Sequence, residues 1–335
     1  MGIDLPLIWF LIIGFGIMMY VIMDGFDLGI GILFPFIPGR EDRDTMVNTV
    51  APVWDGNETW LVLGGAGLMA AFPKAYAILL SALYIPALCF LAGLILRGVS
   101  FEFRFKADEA HKPFWDKAFM TGSFVAAFFQ GVILGAFLEG HRVVNGVAVG
   151  DAMSWLSPFS LFTGVGVVVA YALLGAAWLI LKTEGRLQER VKAMARPILL
   201  TTLAIILIVS IWTPLAHPAI AERWFGWPRI LYFAPVPVLV LVAVWAILRS
   251  LAGTPHAAPF VWSLILVFLG YSGLVISIWP NILPPEISIW DAAAPAQSLG
   301  FALVGALLII PFILAYTAWS YYVFRGKVKA GEGYH

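Results

Sequence analysis

Apolar residues are gathered along this chain into blocks separated by short polar stretches, at about 7–35, 57–73, 75–97, 118–139, 158–181, 197–215, 229–250, 259–279 and 298–323. A hydrocarbon core roughly 30 Å thick needs about 20 such residues per helix. The pattern therefore predicts an all-α, polytopic membrane protein of about nine transmembrane helices. The count hinges on Phe72-Pro73-Lys74, because the second run is short and the third follows almost at once. No linker, low-complexity tract or charge block divides the chain, and its motifs are not repeated in a second half. Residues 1–335 read as one integral membrane domain.

Composition removes the alternatives to a membrane. Hydrophobic residues make up 61% of the chain and charged ones 12%, about half the share that covers a typical soluble domain. Twenty basic residues balance twenty acidic ones, so nothing points to nucleic acid, and the many Trp and Tyr residues suit interfacial belts. Cys89, alone in an apolar run, reads as a small core residue. The opening MGIDLPLIWF lacks a basic region and a cleavage site of small residues, so the first run reads as an uncleaved helix.

Charge also sets the expected orientation. The connections after the odd-numbered runs, with the tail, hold sixteen basic residues, including Arg40, Arg43, Arg97, Arg104, Lys182, Arg249 and Arg325. The other side holds four, Lys74, Arg142, Arg223 and Arg229. The positive-inside rule then places the N-terminus outside and the C-terminus in the cytoplasm, which requires an odd number of spans.

Three polar constellations interrupt the apolar pattern on the more basic side. Asp24-Gly25-Phe26-Asp27-Leu28-Gly29 puts two carboxylates on one helix face, suited to a proton or ion path if they face the bundle interior. If both sit at headgroup level, they are merely solvated. Gly25, Gly29 and Gly31 would let a neighbouring helix approach closely. Trp54-Asp55-Gly56-Asn57-Glu58-Thr59-Trp60 opens the second run. Asp55 and Glu58 suit either proton exchange in a low dielectric or a helix N-cap with its capping-box partner. Arg97-Gly-Val-Ser-Phe-Glu-Phe-Arg104 ends the third run, where Arg97 either snorkels to the interface or pairs with one of these acids. Glu139, His141 and His217 read as interfacial residues. All five histidines, 111, 141, 217, 256 and 335, lie at helix ends, in loops or in the tail. No transmembrane run offers one as an axial haem or copper ligand, and no metal site is expected.

These motifs resemble subunit II of cytochrome bd-type quinol oxidases, leaning toward the cyanide-insensitive bacterial branch. The resemblance is carried by DGFDLG at 24–29, NTVAPVWDGNETW at 48–60, RGVSFEFR at 97–104, Ile289-Trp290-Asp291-Ala292 and Tyr316-Thr-Ala-Trp319; residues 120–280 contribute hydropathy alone. It implies a haem-free chain in the bacterial inner membrane, packed against a haem-bearing subunit I that holds two b-type haems and one d-type haem. Quinol and oxygen would be the substrates of the complex, and this chain would help deliver cytoplasmic protons for reduction of oxygen to water. Asp55 would hand protons on, with Asp24 and Asp27 upstream. Glu58, which stands where some members carry an uncharged residue, would join the path or cap the helix. Trp54, Asn57, Trp60 and Arg97 would be structural or interface residues. A structural quinone, bound lipid and a small single-helix accessory subunit are further candidate partners. The competing reading is a proton- or cation-coupled secondary transporter, which should show inverted repeats and broken helices meeting at mid-membrane.

Overall fold

The computed structural model describes residues 3–140, 143–144, 147–253 and 256–329; His141, Arg142 and His335 lie outside them. The chain is built almost entirely of helices, α1 (Leu5–Leu33), α2 (Arg40–Asn48), α3 (Trp54–Ala71), α4 (Pro73–Lys106), α5 (Lys112–Glu139), α6 (Pro158–Lys182), α7 (Gly185–Ala216), α8 (Pro218–Phe225), α9 (Arg229–Phe233), α10 (Pro235–Leu251), α11 (Ala258–Ile278) and α12 (Ala296–Val323). Two small antiparallel hairpins, β1 (Val143–Val144) with β2 (Val147–Ala148) and β3 (Asn281–Leu283) with β4 (Ile287–Ser288), were not expected from hydropathy.

Among the described residues, eight helical spans are long and apolar enough to cross a membrane, with α9 and α10 forming one of them. The remaining predicted run is α3, 18 residues long and thus spanning about 27 Å. Its first turns carry the polar Asp55, Asn57 and Glu58, so its composition alone does not mark it as spanning. The predicted split at Phe72 is present: this residue leaves helical geometry (φ −133°, ψ 62°) and Pro73 starts α4. Within α4, Leu83 departs from the helix (φ −116°, ψ 20°) three residues before Pro86, whose ring clashes with the preceding turn and removes a hydrogen bond.

The start of α1 and the close of α12 lie at opposite ends of the bundle. At the hairpin end, Trp9 Nε1 donates to the Leu299 carbonyl at 3.1 Å, joining the starts of α1 and α12. At the other end, Trp178 near the close of α6 donates to Thr49 Oγ1 at 3.2 Å, and the chain after α12 crosses the end of α6. We call this the α2 end. α1 and α6 form the centre. Their backbones meet where a methyl group on Gly29 would overlap the Tyr171 carbonyl, and one on Gly175 would overlap Gly29, the close contact that glycine permits between membrane helices. By contrast α12 buries only Leu299, and Phe301, Leu308 and Phe312 are exposed.

Candidate proton-handling site

The cluster near the α2 end is built by three helices whose sequence forces their polar residues inward. α1 continues without a break through Asp24 and Asp27, leaving them 0% and 2% exposed. Gly25 and Gly29 hold that stretch against Tyr171 and Leu174 of α6. The solvated-end reading of the two acids is thus set aside. α3 turns Asn57, Trp60, Gly64 and Gly67 inward, a helical spacing that places them on one stripe; Gly64 and Gly67 receive Ile17 and Ile13 of α1. α4 contributes Arg97, 1% exposed. Its backbone at Gly93 and Arg97 lies against Gly122 of α5.

Arg97 does not snorkel. Its Nη2 pairs with Asp24 Oδ1 and lies 3.7 Å from Glu58 Oε2. Its guanidinium sits 5.4 Å from the Trp54 ring centroid, a cation–π distance. Asp27 is held differently: Asn57 Nδ2 donates to Asp27 Oδ2 at 2.8 Å, and Tyr321 Oη of α12 donates to Asn57 Oδ1 at 2.7 Å. These two bonds give the Asn57 amide one consistent orientation.

Two carboxyl groups therefore share one guanidinium and a third, Asp27, lies beside them on an amide, with Asp24 Oδ2, Asp27 Oδ1 and Arg97 Nε and Nη1 lacking a hydrogen-bond partner among the described residues. A buried ion pair compensates its desolvation only when its remaining polar atoms are satisfied. A cluster with an excess of acid over base, and with carboxylate lone pairs to spare, is chemically equipped to take up and release protons.

Asp55 stands apart. It lies in the first turn of α3 on the exposed side, whereas the N-cap is Val53, with no side-chain capping bond. The capping-box reading is therefore corrected: the turn through Pro52 and Val53 starts the helix, and Asp55 sits inside it, where a carboxylate still favours the positive end of the helix dipole. Glu58 makes no cap bond either; its partner is Arg97. Trp60 is buried edge-on to Phe15, and Trp54 stacks at a tilt on Phe101.

Two groups of residues went unnoticed in the sequence. Tyr321 looked like one more aromatic at the end of an apolar run, with no local signal separating it from Tyr316 and Trp319, both of which are exposed. The other is a second charged cluster. Arg104 Nε lies 2.6 Å from Asp116 Oδ1 and its Nη2 lies 2.7 Å from Asp44 Oδ1. Arg43 Nη1 reaches Asp116 Oδ2 at 3.2 Å, and both guanidiniums lie within 6 Å of the Phe34 ring centroid.

None of the described histidines lies in a helix interior. His111 is exposed, His217 is the boundary residue between α7 and α8, and His256 precedes α11; none points from a helix interior as an axial ligand would. Among the described residues, no group of three or more His, Cys, Asp or Glu is arranged to hold a metal. Glu139 accepts a hydrogen bond from Ser157 Oγ at 2.5 Å, and Cys89 is partly buried and free.

Comparison with known proteins gives a consistent picture. Residues 5–324 match the family model described as cytochrome bd terminal oxidase subunit II. The chain is 29% identical to the Escherichia coli K12 protein named cytochrome bd-I ubiquinol oxidase subunit 2, covering 97% of this chain and 95% of that one. It is 30% identical to a Haemophilus influenzae protein named probable cytochrome oxidase subunit 2, covering 97% and 96%. The fold resembles a chain in the structure of bd oxidase from Geobacillus thermodenitrificans, with TM-score 0.76, 20% identity and coverage of 94% of this chain and 98% of that one.

Proposed function

The chain belongs to the cytochrome bd terminal oxidase subunit II family, and from that premise we propose that it lets protons from the α2 end of the bundle reach the oxygen-reducing site of its complex. It is a membrane subunit of a bd-type quinol oxidase, and the transporter reading is not favoured. The family brings haems to the complex. In the proposed reading the haem chemistry lies in subunit I, where two b-type haems and one d-type haem would carry electrons from quinol to oxygen. What this chain supplies is proton handling and a surface for that subunit.

The observation that carries the proposal is the buried Asp24–Arg97–Glu58 and Asp27–Asn57–Tyr321 arrangement, with more acid than base and unpartnered carboxylate oxygens. Glu58, with 29% of its side chain exposed, links the surface to Arg97 and Asp24. Asp55 occupies the exposed side of the same helix. The exposed stripe of α3 with Asp55 and Val62, the outward face of α4 with Leu88 and Ile95, and nearly all of α12 remain uncovered in this chain. Subunit I docks on this surface, which sets Asp55 at the boundary between the subunits and makes it the residue that passes protons across. The basic residues concentrated near the α2 end support placing that end in the cytoplasm and the N-terminus in the periplasm. Reducing oxygen with protons from the cytoplasm, while quinol releases its own outside, would build a proton-motive force.

The test is Asp55→Asn in the whole complex. Its expected effect is slower oxygen uptake, by about 10²-fold in the range of a lost proton-transfer group, with haem content and assembly unchanged. Normal turnover would remove Asp55 from the path, and loss of haem would recast it as an assembly residue.

A further inference from the structure

α12 poses a mechanical problem. It buries one residue, Leu299, at its hairpin end, yet its other end delivers a hydroxyl to a buried amide with a 2.7 Å hydrogen bond. A helix so sparsely packed needs a second anchor to hold that register, and the chain beyond it provides one. Lys182, the last residue of α6 and 4% exposed, donates from Nζ to the carbonyls of Phe324 and Gly326, the latter at 2.6 Å. In return, the Val328 amide donates to the Lys182 carbonyl at 2.8 Å, and Lys327 Nζ donates to the Thr183 carbonyl at 2.8 Å. Side chain and main chain are thus exchanged in both directions across the end of α6.

The receiving end is itself rigid. Gln188 of α7 donates from Nε2 to the Ile180 and Thr183 carbonyls, both at 2.8 Å, which satisfies carbonyls that a helix C-terminus leaves free. Lys182 also lies 5.4 Å from the Trp178 ring centroid. Trp178 stacks on Phe26 at 4.3 Å, between the two acids of α1 in sequence, and meets Tyr321 edge-on at 6.1 Å. The strap and the acid cluster are therefore joined through one aromatic group. A narrow crevice lined by Pro52, Val53, Gly56, Asn57, Tyr316 and Tyr321 opens beside the Tyr321–Asn57 bond, so displacing that hydroxyl would expose the Asp27 side of the cluster.

We propose that residues 324–329 form a strap, clasped by Lys182, that positions Tyr321 on Asn57 and thereby holds the Asp27 carboxyl in its working place. Lys182 is a positioning residue: it touches neither Asp27 nor any substrate, and acts through α12. The inference rests on the reading of Asp27 as a proton-handling group, but its geometric part stands separately.

The test uses the assembled oxidase with Lys182→Met and Lys182→Arg, each followed by structure determination, haem quantification and steady-state kinetics. Lys182→Met is expected to free the strap, to separate Tyr321 Oη from Asn57 beyond hydrogen-bond reach, and to lower kcat about two- to thirtyfold with KM for quinol and haem content unchanged. Lys182→Arg, which can still donate to two carbonyls, should restore most of the loss. Tyr321→Phe should reproduce the kcat defect with the strap intact. A Lys182→Met complex that keeps the Tyr321–Asn57 bond, or keeps wild-type kcat after losing it, overturns the proposal. If instead Asp27→Asn turns over normally while Lys182→Met still releases Tyr321, the strap stands and the proton role of Asp27 falls.

Discussion

Two ionic clusters, each built on a buried arginine, lie near the same end of this bundle, and they are composed differently. Around Phe34, Arg43 and Arg104 meet Asp44 and Asp116, two cations against two anions, and Asp116 is shared between both guanidiniums. Around Arg97, a single cation meets Asp24 and Glu58, with Asp27 beside them on an amide. The first cluster is balanced and ties α2, α4 and α5 together. The second leaves acid in excess of base. Balanced charge is a clamp. Unbalanced buried acid costs stability, and the proton role proposed for the Arg97 cluster would account for its retention.

This contrast can be broken most forcefully at the arginines. Removing one partner of a buried pair costs about 3–5 kcal/mol, so Arg104→Met and Arg97→Met should both lower the thermal stability and yield of the complex. They should differ on repair. Arg97→Met with Asp24→Asn removes charge from both sides and is expected to regain stability, measured by thermal scanning, without regaining oxygen uptake. Recovery of both would make the Arg97 cluster a second clamp.

Next in size is Gly29→Ala. Its methyl group would overlap the Tyr171 carbonyl, and overpacking of this kind costs about 1–3 kcal/mol. The acids would be displaced together with α1, so activity and stability should fall in parallel, unlike the isosteric acid variants. An activity loss with unchanged stability would show that the glycine serves the site and not the packing.

The smallest effect belongs to the opposite end. Asp291, exposed beside β4, accepts hydrogen bonds from Ser288, which hold its carboxyl below the usual range. A lowered folded-state pKa means that its contribution is present at neutral pH and is lost as pH falls through that value. Asp291→Asn should slightly reduce the pH dependence of thermal stability on the acid side and leave turnover untouched. A change in turnover would tie the hairpin end to catalysis.

Much of the fold was legible because a membrane makes hydropathy nearly decisive. Each apolar run became a helix, and Pro73 marked the division between α3 and α4. The elements that escaped, α2, α8 and the two hairpins, are short and lie where hydropathy carries no period. The site was legible in its α1 and α3 residues, since Asp24, Asp27 and Glu58 are conspicuous in apolar surroundings. Arg97 was ambiguous because a lone arginine at a helix end reads equally as snorkelling or pairing, and only the approach of α4 to α1 decides it. Asp55 drew a capping interpretation from its spacing to Glu58, whereas α3 begins two residues earlier than that pattern requires. Tyr321 and Lys182 could not be read at all: their roles depend on contacts 264 and 144 residues away in sequence.

The most direct measurement is the rate of proton uptake from the α2 side during a single turnover of the fully reduced complex, comparing the native chain with Asp27→Asn. The substitution keeps the shape and a hydrogen-bond acceptor, so haem content should be unchanged while proton uptake slows by about 10²-fold or more. Uptake at the native rate, in a complex with its full haem content, would contradict the assignment of this cluster to proton delivery.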